Sequence, residues 1–187
     1  MPKVGGIEYP LDKESEPIDV IILGRVYQVA VSLHQYGNVK YVLLDAPIFR
    51  ERSRNEPYPA RMDDLESAVF YSCWNQCIAE IIDRESVDLF HVHDYHCALA
   101  PLYLLPRIVP SALSIHNGEF QGLFPLRTAK DRAQICSVFN LSEDICIQYV
   151  QYGNTFNLLH GITSYIRLHQ NGVGAAGVSD KYGERCV

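Results

Sequence analysis

Short apolar strands alternating with helical stretches predict an α/β fold: a parallel sheet with flanking helices, preceded by an N-terminal β-hairpin. Three observations carry this reading. Residues 87–92 (VDLFHV), 112–115 and 173–178 are short runs suited to buried strands, and helix-patterned sequence fills the gaps between them. Residues 18–23 (IDVIIL) and 26–33 (VYQVAVSL) flank Gly24-Arg25, and the second run alternates with period two, which signals a hairpin. The chain has 187 residues, 48% hydrophobic and 20% charged, a globular balance with enough apolar material for a core.

The elements follow in order. Residues 1–17 carry Pro2, Pro10, Pro17 and a Gly5-Gly6 pair and read as an irregular lead-in to an α/β core over 18–187. After the hairpin, residues 39–44 form a further strand, stopped by Asp45-Ala46-Pro47, and the charged stretch 51–61 reads as a surface loop. Asp63-Asp64 open a long helix to about residue 83, with Leu65, Val69, Trp74, Ile78 and Ile82 at helical spacing. Residues 96–105 read as an apolar helix ended by Pro106. Residues 131–139 and 142–151 read as two short helices, the second capped by Ser142 with Glu143 and Asp144 in its first turn. Residues 155–168 form a longer helix, and Ser179 is placed to cap a last one.

Composition also excludes. The apolar content is too high for a disordered chain, and no run of about 18 apolar residues offers a membrane span. No signal peptide is expected. The net charge of −6 argues against a nucleic-acid binder. Six cysteines, at 73, 77, 97, 136, 146 and 186, form no C-x-x-C pair and read as buried, reduced thiols.

In a parallel sheet of this kind ligands sit beyond the carboxyl ends of the strands, so the loops after residues 92, 116 and 178 should carry the chemistry. Residues 91–96 read His-Val-His-Asp-Tyr-His. His91 and His93 share one side of a strand end, with Asp94 and His96 in the loop beyond. Three readings are open: a metal site, polar residues that merely close a strand, or a substrate loop in which Asp94 accepts from hydroxyl groups and His96 donates. The second strand-end loop, residues 114–122, carries His116, Asn117, Gln121 and Gly122. Two histidine-bearing loops on adjacent strands should point into one crevice.

Taken together, HVHDYHCALAPLYL and SIHNGEFQG resemble the glycogen and starch synthases, with their H-x-H-D-W-H and T-x-H-N-x-x-(Y/F)-Q-G segments. VGGIEYP, YVLLDAPIFR, EPYPARMDD, FQGLFPLRT, VFNLS, FNLLH and GVSDKYGER resemble, more closely, the fungal cell-wall α-1,3-glucan synthases. The resemblance implies part of the N-terminal Rossmann-like domain of a two-domain GT-B glycosyltransferase. The implied activity is retaining hexosyl transfer: glucose passes from UDP-glucose to a growing α-1,3-glucan. His116 takes the place of the histidine that contacts the donor sugar. Asp94 and His96 fall in the sugar cleft, Tyr95 stands for the Trp, and Asn117, Gln121 and Gly122 fall in the loop beside it. No metal and no resident cofactor are implied; the nucleotide sugar is a substrate and the glucan acceptor a partner. The implied location is the cytosolic face of the plasma membrane, within a larger membrane protein.

Some departures accompany the likeness. Lys3-Val-Gly-Gly-Ile7 mimics the family's K-x-G-G-L donor loop, but the prolines that follow leave no helix to begin there. Cys97 stands where Gly is typical, and His160-Gly161 where His-Ala is. The first strand, the donor loop and the C-terminal domain with its diphosphate-holding cations are expected to lie outside this chain, which is therefore expected to be inactive alone. A non-catalytic glucan-binding module is the alternative, and a metal hydrolase built on His91, His93 and His96 the less favoured third.

Overall fold

The computed structural model describes residues 12–50, 58–59, 61, 63–171 and 174–180, together with the backbone of 3–4 and 7–8. The chain divides into two compact units, Met1–Arg61 and Met62–Val187.

The first unit is antiparallel. Strand β1 (Lys3–Val4) pairs with β2 (Ile7–Glu8), where the donor-loop mimic lies. Strands β3 (Lys13–Ile22), β4 (Arg25–Tyr36) and β5 (Val39–Asp45) form a meander in that order. The predicted hairpin is present and longer than expected. Leu23 and Gly24 both take positive φ, 49° and 77°, the pairing whose twist suits two strands joined by two residues. Alternation sorts Ile18, Val20 and Ile22 of β3 with Val29 and Val31 of β4 to the buried side. Residues 13–17, read above as irregular, belong to β3. Pro17 lies where the register shifts between Ser15 and Ile18, and a residue without an N–H is tolerated at such an irregularity. A short helix α1 (Pro47–Arg50) follows. Most of the stretch 51–61 falls outside the described residues.

The second unit holds the parallel sheet, in the order β11–β7–β6: β6 (Phe90–His93), β7 (Ser111–Ile115) and β11 (Ala175–Gly177). Helix α2 (Leu65–Arg84) precedes β6, and Asp64 caps it by accepting the Ser67 N–H at 2.8 Å. Of the five apolar residues at helical spacing, its buried face takes in Ile82, with Val69, Trp74 and Ile78 half-buried. That face carries Ala68, Tyr71, Ser72, Cys73, Asn75, Cys77, Ala79 and Ile82, while Leu65 is exposed. The apolar helix expected over 96–105 is instead turns followed by a 3-10 helix, Ala100–Leu104. Pro101 sits in its first turn, where the missing N–H costs nothing.

Helix α3 (Ala129–Val138) opens on a reciprocal capping box. The Thr128 hydroxyl accepts from the Asp131 N–H, and the Asp131 carboxylate accepts from the Thr128 N–H. Thr128→Ala should therefore cost about 1 kcal/mol in chemical denaturation; an unchanged midpoint would remove the cap from the account. Beyond α3, the second expected short helix splits into α4 (Glu143–Ile145), capped by Ser142, and a π-helical turn, Cys146–Val150.

An unanticipated antiparallel sheet, β8–β10–β9, follows from the first residues of the expected helix over 155–168. It joins β8 (Leu123–Pro125), β9 (Gln151–Tyr152) and β10 (Thr155–Asn157), so helix α5 starts only at Leu158 and runs to His169. Phe124, Phe139 and Phe156 pack beneath it, with Phe139 stacked on Phe156 at 4.7 Å between centroids. Two side chains of the α5 end bind the backbone entering β7. Tyr165 bridges the N–H and C=O of Val109, and the Gln170 amide bridges those of Ser111 at 2.7 and 2.9 Å. Each satisfies groups at a sheet end that burial would otherwise strand. Ser179 lies just past β11, and Asp180 is helical; residues beyond it are outside the described set, so its capping part is not visible.

Candidate functional site

The sheet ends where the sequence places the chemistry. β6 delivers His93 and Asp94, and β7 delivers His116 and Asn117, at neighbouring carboxyl ends. The ladder extends past the strands, with the Asp94 N–H donating to Ser114 C=O at 3.0 Å and the Val178 N–H to Ile115 C=O at 3.1 Å.

Asp94 is the junction of the two loops. Its Oδ1 accepts the backbone N–H of His116 at 2.7 Å and of Asn117 at 3.1 Å. It holds a left-handed backbone, φ 53°, which Asp and Asn tolerate better than most side chains. The His116 imidazole is exposed and meets His93, Nε2 to Nδ1, at 2.9 Å. His91 lies beside His93, 4.5 Å between centroids, and its Nε2 meets the Ser114 hydroxyl at 2.8 Å.

His96 sits lower. Its Nδ1 meets the Tyr71 hydroxyl at 3.3 Å, and the same hydroxyl meets that of Tyr95 at 3.2 Å. Asn75, fully buried on α2, supports this turn by donating to the carbonyls of Tyr71 and His96 and accepting the Leu99 N–H. Burial pushes the His96 imidazole below its ordinary value of 6.5, with the Asp94 charge opposing. Burial also lowers His160, helped by the Arg167 charge. A histidine whose pKa is depressed by folding stabilises fully above its unfolded pKa, and that contribution is lost as pH falls through 6.5 towards the folded value. The urea midpoint should accordingly be lower at about pH 5.5 than at about pH 7.5. The difference should shrink in a His96→Gln, His160→Gln double variant; an equal difference would refute this assignment.

The second loop is closed by architecture. Asn117 Oδ1 accepts the Glu119 N–H at 3.1 Å, and Gln121 Nε2 donates to the Gly118 carbonyl at 3.0 Å. The carbonyls of Gln121 and Gly122 accept from Leu159 and Leu158, the first residues of α5. The helix cap Asn157 donates to Gln121 Oε1 at 2.8 Å while accepting the His160 N–H at 2.9 Å. Gly122 is buried at φ 67°, and a Cβ there would lie 2.6 Å from the Tyr95 ring.

All six residues singled out from sequence thus lie on the two strand-end loops. Sequence reasoning missed Tyr71, Asn75, Asn157 and the His93–His116 contact. Asn157 alone had a local signal, an Asn directly ahead of an apolar helix turn. Two departures from the family pattern have structural reasons. Cys97 accepts from the Trp74 indole N–H at 3.3 Å. An Ala at Gly161 would bring its Cβ within 2.7 Å of Leu99 and 2.9 Å of Val150. Among the described residues, no three His, Cys, Asp or Glu side chains are placed to hold a metal ion. The described cysteines are free thiols, and no described helix is long and apolar enough to cross a membrane.

The two clamped histidine loops thus lie together at the carboxyl edge of the parallel sheet, where sheets of this kind bind ligands. Residues 1–167 match the family model of the starch synthase catalytic domain, and the chain belongs to that family. It is 58% identical over 185 residues to the cell wall alpha-1,3-glucan synthase ags1 of Schizosaccharomyces pombe, covering 99% of this chain and 8% of the relative. It is 36% identical over 101 residues to the glycogen synthase of Ralstonia nicotianae, across 50% of this chain and 18% of that protein. The catalytic domain of starch synthase IV from Arabidopsis thaliana, solved bound to ADP and acarbose, aligns with a TM-score of 0.60 at 15% identity. That alignment covers 82% of this chain and 32% of the other, and it shows the fold as that of part of a GT-B starch synthase catalytic domain. The chain spans 8% of the length of its glucan synthase relatives.

Proposed function

We propose that this chain is part of a retaining hexosyltransferase that moves glucose from UDP-glucose onto a growing α-1,3-glucan of the fungal cell wall. The observation that carries the reading is the junction at Asp94, which brings His116 and Asn117 of one loop against the H-x-H-D segment of the other. Identity of 58% to a cell wall alpha-1,3-glucan synthase across nearly the whole chain supports it. His116 meets the donor sugar, Asn117 and His96 line the cleft, and Asp94, Gln121 and Gly122 shape the loops that present them. The donor is a substrate and no resident cofactor takes part. The cytosolic face of the plasma membrane, where nucleotide sugars are at hand, is the setting this reading implies.

The test is calorimetric titration of the full chain with UDP-glucose and, separately, with an α-1,3-linked oligosaccharide, alongside an assay for polymer. Saturable binding of at least one, weakened about tenfold in His116→Ala and without polymer formation, is the expected result. Absence of binding to both ligands overturns the reading. Glucan binding indifferent to His116→Ala would point instead to a glucan-binding module.

A further inference from the structure

Within the exposed histidine group, two rings meet directly: His93 and His116, Nδ1 to Nε2 at 2.9 Å. A hydrogen bond between two ring nitrogens needs one proton, carried by one ring and accepted by the other. Two arrangements satisfy it. If His93 donates, both neutral rings carry their proton on Nδ1. If His116 donates, both carry it on Nε2, the form a neutral histidine side chain favours in water. The second arrangement forces neither ring from its preferred tautomer.

The surroundings fix both rings. Strand β6 sets His93 beside Ser114 of β7 in parallel register, and the Asp94 carboxylate grips the His116 backbone N–H. His91 also lies against His93, 4.5 Å between centroids, and meets the Ser114 hydroxyl. With Nε2 of His116 engaged, Nδ1 is the ring nitrogen left for a ligand, and it has no partner among the described residues.

We infer that His93 is a positioning residue: it accepts the Nε2 proton of His116 and so fixes that imidazole with an Nδ1 lone pair ready to accept from a sugar hydroxyl. The ligand part rests on the function proposed above; the hydrogen bond does not. His93 needs no contact with sugar to act in this way. Its place can be filled by a side chain offering an acceptor at the same position, and Asn does so because its Oδ1 falls near where the histidine Nδ1 lies. Leu cannot.

Nitrogen-detected NMR of the histidine rings in the full chain tests this, with His93→Asn and His93→Leu beside the unaltered protein. Both substitutions fall on an exposed position, so the fold should survive them. A slowly exchanging His116 Nε2 proton is expected in the unaltered chain and in His93→Asn, and fast exchange in His93→Leu. Affinity for UDP-glucose should fall about fivefold to tenfold in His93→Leu, the worth of one hydrogen bond, and return in His93→Asn. If His116 ring exchange is the same in all three, or if His116 carries its proton on Nδ1, the inference is wrong. A His93-dependent Nε2 proton in a chain that binds no sugar would sustain the positioning part and overturn the proposed function.

Discussion

Gly122→Ala should be the most damaging single-methyl change in the second unit, at about 2–4 kcal/mol in chemical denaturation. Two penalties add. At φ 67° an Ala sits in left-handed backbone, which costs about 1–2 kcal/mol. Its Cβ would also lie 2.6 Å from Tyr95 Cδ2, 3.0 Å from Leu158 Cδ1 and 3.1 Å from Leu158 Cβ. Tyr95 is buried and hydrogen-bonded to Tyr71, so the ring has little room to withdraw. Gly153 supplies the control. Its φ is 57° and nothing lies within 4 Å of an added Cβ, so Gly153→Ala should show the backbone penalty alone. Equal losses for the two variants would refute the steric part.

Asp94→Ala should cost about 2–3 kcal/mol and loosen both loops together. The variant deprives the N–H groups of His116 and Asn117 of their shared carboxylate and leaves an Ala at φ 53°. Asp94→Asn keeps an acceptor oxygen and a residue that accepts the left-handed conformation, so about half of the loss should return. Amide hydrogen exchange at 116 and 117 reads the local effect directly. Acceleration of about tenfold or more is expected in the Ala variant and less in Asn. If those amides exchange as before, Asp94 does not hold the loops, and its part reduces to a cleft carboxylate.

The sequence made the parallel core legible because each buried strand is short, apolar and bounded by turn residues, so period and punctuation agreed. The places where it misled share one cause, local pattern overridden by distant partners. Thr155–Asn157 continues smoothly into an apolar helix, yet pairs with Leu123–Pro125, some thirty positions earlier in the chain. Leu65, Val69, Trp74, Ile78 and Ile82 recur at helical spacing in α2, yet of these only Ile82 is fully buried. The face actually buried carries Asn75, whose amide serves backbone groups of Tyr71, His96 and Leu99. Nothing near residue 75 announces that. The site divides in the same way. His116, Asp94 and His96 could be picked out because they crowd two strand ends, whereas Tyr71, which meets His96 from another element, could not.

The loop between β7 and β8 has one consequence for how a ligand would associate. Its start is fastened to Asp94 and its end to the first turn of α5, through the carbonyls of Gln121 and Gly122. A segment secured at both ends loses its conformational freedom when the protein folds, not when a ligand arrives. Association at this edge should proceed without a slow loop-ordering phase, and changes that release either fastening should appear chiefly as a less favourable binding entropy.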